Sequence, residues 1–167
     1  RSDIWLAVHA ERAALVADLT GLRPEQWATP SLCAGWDIRD IVAHLAATAT
    51  LSRRGFINEF LRSGLSSSRI VEKQVQAGLR RLPAESLSAL GSEINQPVSP
   101  PQPTITRFIE IVIHAEDIRR PLGIHHEYPT LHIAEALDYL ANDRRSGGRA
   151  RLAGIGLYAT DADVVVG

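Results

Sequence analysis

The chain has no methionine, one cysteine, and one lysine among its 18 basic residues. Each scarcity excludes something. Cys33 alone cannot build an internal disulfide framework, and that leans toward a reducing, cytoplasmic compartment. An excess of one charge sign is also lacking. The 18 basic and 19 acidic residues leave a net charge of −1, which gives no electrostatic case for a nucleic acid or an anionic membrane as partner. No apolar run approaches the roughly 20 residues that a membrane-spanning helix needs. No signal-peptide pattern opens the chain. With no methionine and Arg1 in first place, a native start is expected upstream. Lys73 stands alone against the arginines, a bias that goes with frequent alanine and glycine and with a GC-rich genome.

What is present fits one globular domain, or one domain and a fragment: 167 residues, 45% hydrophobic and 22% charged. Ile4, Val8, Leu15 and Leu19 recur at helical spacing and predict a first helix from about Asp3 to Leu19, capped by Ser2 or Asp3. His9 in that helix reads as a core-edge or solvent-facing side chain. Pro24 to Trp27 reads as a short helical turn. Trp27 and Trp36 anchor the loop that follows it. Asp37-Ile-Arg-Asp40 resembles a capping box, and a second helix is expected from there to about Leu61, with Ile38, Ile41, Val42, Leu45 and Ala49 turned inward. Gly64 to Ser68 breaks the chain. Further helices are expected over about Ser68–Leu82, Pro83–Ile94 and Thr130–Leu140. Gln96 to Pro103 is a proline-rich crossing. Residues 154–166 read as a β-hairpin or its first half.

The most informative stretch is Phe108 to Gly123. It predicts a helix from about Thr104 to Arg120 that is apolar on nearly every side, stopped by Pro121 and Gly123. Glu110, His114 and Asp117 fall at i, i+4 and i+7, on one stripe of that buried helix. A carboxylate buried without a partner costs several kcal/mol, so something must meet Glu110. Glu110 and His114, one turn apart, can grip one ion, and His44 on the second helix could supply a third donor. Two nitrogens and a carboxylate with an open position make a catalytic zinc arrangement, and one that also suits non-haem iron. The competing reading is a Glu110–Arg or His114–Asp117 pair with no metal. Cys33 with His44 and an aspartate as a nucleophilic triad, and His125-His126-Glu127 as a metal site, are further alternatives. The dominance of helices argues for an all-α, antiparallel four-helix bundle over 1–150, with a short hairpin over 151–167 that may begin a truncated α/β domain.

Three stretches resemble one family. Trp27 to Leu45, with Cys-Ala-Gly-Trp-Asp-Ile-Arg-Asp and Val-Ala-His, is similar to the signature of the mycothiol-dependent maleylpyruvate isomerase family, as are Val112 to Gly123 and Arg151 to Asp163. That family belongs to the DinB-like metal-binding four-helix bundles. The resemblance implies a divalent metal, typically Zn2+, held by His44, Glu110 and His114. It implies mycothiol, a low-molecular-weight thiol of high-GC Gram-positive bacteria, as cosubstrate. The activated thiolate would add to a cis double bond, permit rotation and leave, or would be transferred to a small electrophile. It also implies a C-terminal α/β domain of which only the start is present here. The alternative within the same fold is a non-catalytic DinB-like protein that binds metal or another ligand. The sequence leaves a monomer or a homodimer open.

Overall fold

Asp37 starts the helix that carries His44, and it does so by two reciprocal hydrogen bonds. Its carboxylate accepts from the Asp40 amide at 3.2 Å, and the Asp40 carboxylate accepts from the Asp37 amide at 2.8 Å. The capping box read in the sequence is therefore formed, and it satisfies the amides of Asp37 and Asp40, two of the orphan donors at the helix start. The computed structural model describes residues 2–78, 82–160 and 162–166. The cap expected from the side chains of Ser2 or Asp3, the stretch 79–81 of the third expected helix, and Asp161 of the hairpin lie outside the described residues.

The chain forms α1 (Ser2–Leu19), a 3-10 turn (Pro24–Ala28), α2 (Ile38–Ala49), α3 (Arg53–Arg62), α4 (Ser67–Gly78), α5 (Pro83–Ser92), α6 (Ile105–Leu122), α7 (Thr130–Asn142) and α8 (Gly148–Arg151), then strands β1 (Leu157–Tyr158) and β2 (Val165–Val166). It is mostly helical with a small antiparallel hairpin near the C-terminus, as expected. Residues 1–126 and 127–167 form two compact units.

In the first unit, α2 packs on α4, α5 and α6, and α1 packs on α5 and α6. Leu15 and Leu19 of α1, Ile38 and Ile41 of α2, Leu90 of α5 and Ile118 of α6 meet in one core, each below 2% exposed. Full burial of one such side chain is worth about 1.5–3 kcal/mol, so this contact fixes α2 against α6. In the second unit, α7 packs on α8 and on β2, and the hairpin pairs Leu157 with Val166 and Tyr158 with Val165.

Two expectations need correction. The helix expected from Asp37 to about Leu61 is two helices. Thr50 ends α2, and Ser52, extended at φ −69° and ψ 164°, accepts from the Gly55 amide at 3.1 Å and starts α3. A serine oxygen that can cap a new helix competes with continuation of the old one. The second correction concerns α6, which is not apolar and buried all round. Phe108, Ile111 and Ile118 are buried, but Ile113 is half exposed.

At its C-terminal end, α6 is tied to α1 by Arg119. This guanidinium is fully buried and donates to the Asp18 carboxylate at 2.7 Å, with Glu11 at 3.8 Å. Gly123, at φ +69°, takes the left-handed conformation, and its amide closes on the carbonyls of Arg119 and Arg120.

Candidate metal centre

The site is built from α2, α6 and the loop between the 3-10 turn and α2. A proline brings the loop to the helix. Pro121 has no amide hydrogen, so the carbonyl of Asp117, four residues earlier, has no helical donor. The Leu32 amide takes that place, donating to the Asp117 carbonyl at 3.2 Å. Ser31 braces the same loop. Its hydroxyl donates to the Trp36 carbonyl at 2.8 Å and accepts from the Cys33 amide at 3.1 Å, while the Trp36 amide donates to the Cys33 carbonyl at 3.0 Å. Gly35, at φ +80°, makes the tight turn possible. Cys33 is thus held beside α6.

His44, on the inner face of α2, is 6% exposed. Its ring lies edge-on to His114 at 5.1 Å between centroids and edge-on to Trp36 at 5.6 Å. Its Nδ1 is buried without a hydrogen-bond partner, and its Nε2 is 3.8 Å from Glu110 Oε1, beyond hydrogen-bond length. Burial, then the neighbouring His114 and Arg107, lower its pKa to about 4, so the ring is uncharged near neutral pH. Glu110 therefore finds its counter-ion elsewhere: Arg107, one turn back and 6% exposed, places Nη1 2.9 Å from Glu110 Oε2. Arg12 of α1, 4% exposed, donates to the carbonyls of Glu93 and Gln96; burial lowers the pKa of its guanidinium, Glu110 opposes that shift and Arg107 adds to it.

On its other side, His114 turns Nδ1 to Asp117 Oδ2 at 3.1 Å, and Cys33 Sγ donates to the same oxygen at 3.1 Å and lies 4.0 Å from Nδ1. Desolvation and the adjacent Asp117 carboxylate push the Cys33 thiol up to about 11. Among the described residues, the three His, Cys, Asp or Glu side chains that bring donor atoms within 4.8 Å of one another are Cys33, His114 and Asp117.

The three expected ligands, His44, Glu110 and His114, stand on two packed helices as neighbours, but their donor atoms do not all come within 4.8 Å of one another as those of Cys33, His114 and Asp117 do. Cys33 meets His114 and Asp117, not the His44 of the triad alternative. His126 pairs with Glu11 at 2.9 Å, and His125 and Glu127 are exposed. The meeting of Cys33 with Asp117 is not evident from sequence spacing. The available signal was Pro121, which frees a carbonyl four residues back. The arginine that meets Glu110 is Arg107. Arg107 at i−3 was the one in helical reach.

Residues 8–59 match the mycothiol maleylpyruvate isomerase N-terminal domain. The match supports the family resemblance seen in the motifs and points to the mycothiol-related family. It covers the loop with Cys33 and the helix with His44, and it ends before α6, which carries Glu110 and His114. No curated protein and no solved structure matches the chain. Among the described residues, no helix is long and apolar enough to cross a membrane.

The donor set suits a divalent cation. Two imidazoles and a carboxylate are ordinary zinc ligands. A core histidine kept for structure normally has a hydrogen bond, and leaving a buried polar nitrogen without one costs about 1–3 kcal/mol. His44 carries that cost at Nδ1.

Proposed function

We propose that His44, Glu110 and His114 hold a divalent metal, zinc by donor type, and that the site uses a low-molecular-weight thiol of the mycothiol kind on a small electrophilic substrate, by cis-trans isomerisation or S-transfer. A reducing, cytoplasmic setting suits this chemistry and a chain with one cysteine. The observation that carries the reading is His44: a buried, uncharged imidazole whose Nε2 stands 3.8 Å from Glu110 Oε1 with no hydrogen bond between them, and whose ring lies 5.1 Å from that of His114.

When bound, the cation supplies Lewis acidity that makes a thiolate accessible near neutral pH. The protein's own groups prepare the place. Burial keeps His44 neutral, the form that offers a lone pair. With the His114 proton on Nδ1 and donated to Asp117 Oδ2, 3.1 Å away, Nε2 would be the donor nitrogen for this position. Arg107 neutralises Glu110 until a cation competes for it. Trp36 walls the His44 side of the site with an aromatic edge.

The test is metal analysis of the purified chain supplied with zinc, alone and as the His44→Ala/His114→Ala variant, combined with S-conjugation of a model electrophile by mycothiol. Stoichiometric zinc that is lost in the variant, with conjugation lost alongside it, is expected. Substoichiometric zinc in the unaltered chain would refute the site. Zinc bound through His44 with no thiol chemistry would leave the alternative, a non-catalytic DinB-like metal binder.

A further inference from the structure

We propose that Cys33, His114 and Asp117 form a second metal position, one that contains a thiolate, on the Nδ1 side of the His114 ring. It takes thiophilic divalent cations such as Zn2+, Cd2+ and Co2+. It shares His114 with the site proposed above but needs neither His44 nor Glu110.

The geometry is close to what coordination requires. Tetrahedral zinc with ordinary bond lengths sets its sulfur, nitrogen and oxygen donors about 3.4–3.6 Å apart. Here Sγ–Oδ2 and Nδ1–Oδ2 are both 3.1 Å and Sγ–Nδ1 is 4.0 Å. Each separation is within about half an ångström of the coordinated value. Small rotations of the Cys33 and Asp117 side chains would bring the donors to those separations. The backbone is already fixed: the Leu32 amide is held by the Asp117 carbonyl, the Cys33 amide by Ser31 Oγ and the Cys33 carbonyl by the Trp36 amide. His114 and Asp117 share a face of α6 at i and i+3. Little ordering remains to be done when a cation arrives.

Charge favours the same position. On binding, the Cys33 S–H proton leaves to solvent, and the single imidazole proton of His114 resides on Nε2, so that Nδ1 offers its lone pair. The dication then meets one thiolate and one carboxylate, and the position is electrically neutral. The His44, Glu110 and His114 set leaves a net charge of +1 beside the buried guanidinium of Arg107. A neutral imidazole offers one lone pair, so the two positions exclude one another. A thiophilic ion in the second position withdraws His114 from the first.

Cobalt(II) titration tests this. In the His44→Ala variant, which lacks a donor of the first site, cobalt should still bind and give an intense thiolate-to-cobalt charge-transfer band in the near ultraviolet. Cys33→Ser made in addition should abolish the band. A folded His44→Ala variant with no such band overturns the proposal. A second measurement needs no variant: cadmium should slow alkylation of Cys33 in the unaltered chain by tenfold or more, and an unchanged alkylation rate overturns the proposal equally. A cobalt–thiolate band together with zinc content that ignores His44 would remove the first site and keep this one.

Discussion

Removing the Glu110 charge should destabilise the metal-free protein and should do so through Arg107. Arg107 is 6% exposed, and its Nη1 sits 2.9 Å from Glu110 Oε2. Breaking a buried pair by deleting one partner costs about 3–5 kcal/mol, because the remaining charge is left uncompensated. The Glu110 side chain retains 16% exposure, so water reaches one end of the pair and the lower end of that range applies, about 3 kcal/mol for Glu110→Gln. For a protein of this size each kcal/mol moves Tm by about 2–4 °C, so the shift should be about 6–12 °C. The assay is urea and thermal unfolding with a chelator present, followed by far-ultraviolet circular dichroism. The double variant Arg107→Met/Glu110→Gln removes both charges and should return to within about 1 kcal/mol of the unaltered protein. A loss under about 1 kcal/mol for the single variant, or a double variant no more stable than the single one, refutes the reasoning.

The same pair links stability to the proposed site. Glu110 must leave Arg107 before it can hold a cation. Arg107→Met alone removes that competition. Zinc should therefore raise the Tm of the Arg107→Met variant by more than it raises that of the unaltered protein. Equal shifts would mean that Glu110 takes no part in binding.

Three further outcomes follow from local structure. Pro121→Ala supplies the missing helical amide to the Asp117 carbonyl, so Leu32 loses its sole claim on that acceptor, and hydrogen exchange at the Leu32 amide should rise about tenfold, the equivalent of one net hydrogen bond. Asp37→Ala removes the acceptor for the Asp40 amide and should cost about 1 kcal/mol in denaturant unfolding, with the first turn of α2 exchanging faster. Gly123→Ala meets no neighbouring atom within 4 Å, so its cost should come from the left-handed backbone alone, about 1–2 kcal/mol.

Most of the helical order was legible in the sequence, because it depends on local signals. The capping box at Asp37, the stop at Gly123 (Pro121, expected to end α6 as well, lies inside its last turn), and the apolar spacing of α1 and α6 are each decided within a few residues of chain. The break at Ser52 was not seen, since the apolar pattern runs through it and one serine hydroxyl decides the outcome. The candidate site divides along the same line. His44, Glu110 and His114 could be placed on helix faces by counting. Cys33 could not, because its position depends on a loop of irregular backbone and on a hydrogen bond that spans most of the first unit's sequence.

That hydrogen bond also explains how the family-matched stretch and the unmatched helix come to share one centre. Residues 8–59 hold His44 and Cys33, and α6 holds Glu110, His114 and Asp117. Helix packing through Ile41, Val42 and Ile111 brings His44 to His114, but side-chain packing alone tolerates small slips. The bond from Leu32 to the Asp117 carbonyl does not, since its length and direction are narrowly set. It exists because Pro121 cannot donate. A residue usually taken as a helix stop therefore acts as the socket for the loop, and the loop in turn carries Cys33, Trp36 and the Asp37 cap that aims α2. A change at Pro121 should thus be felt at Cys33 and His44, which it does not touch, before it is felt in the global stability of the bundle.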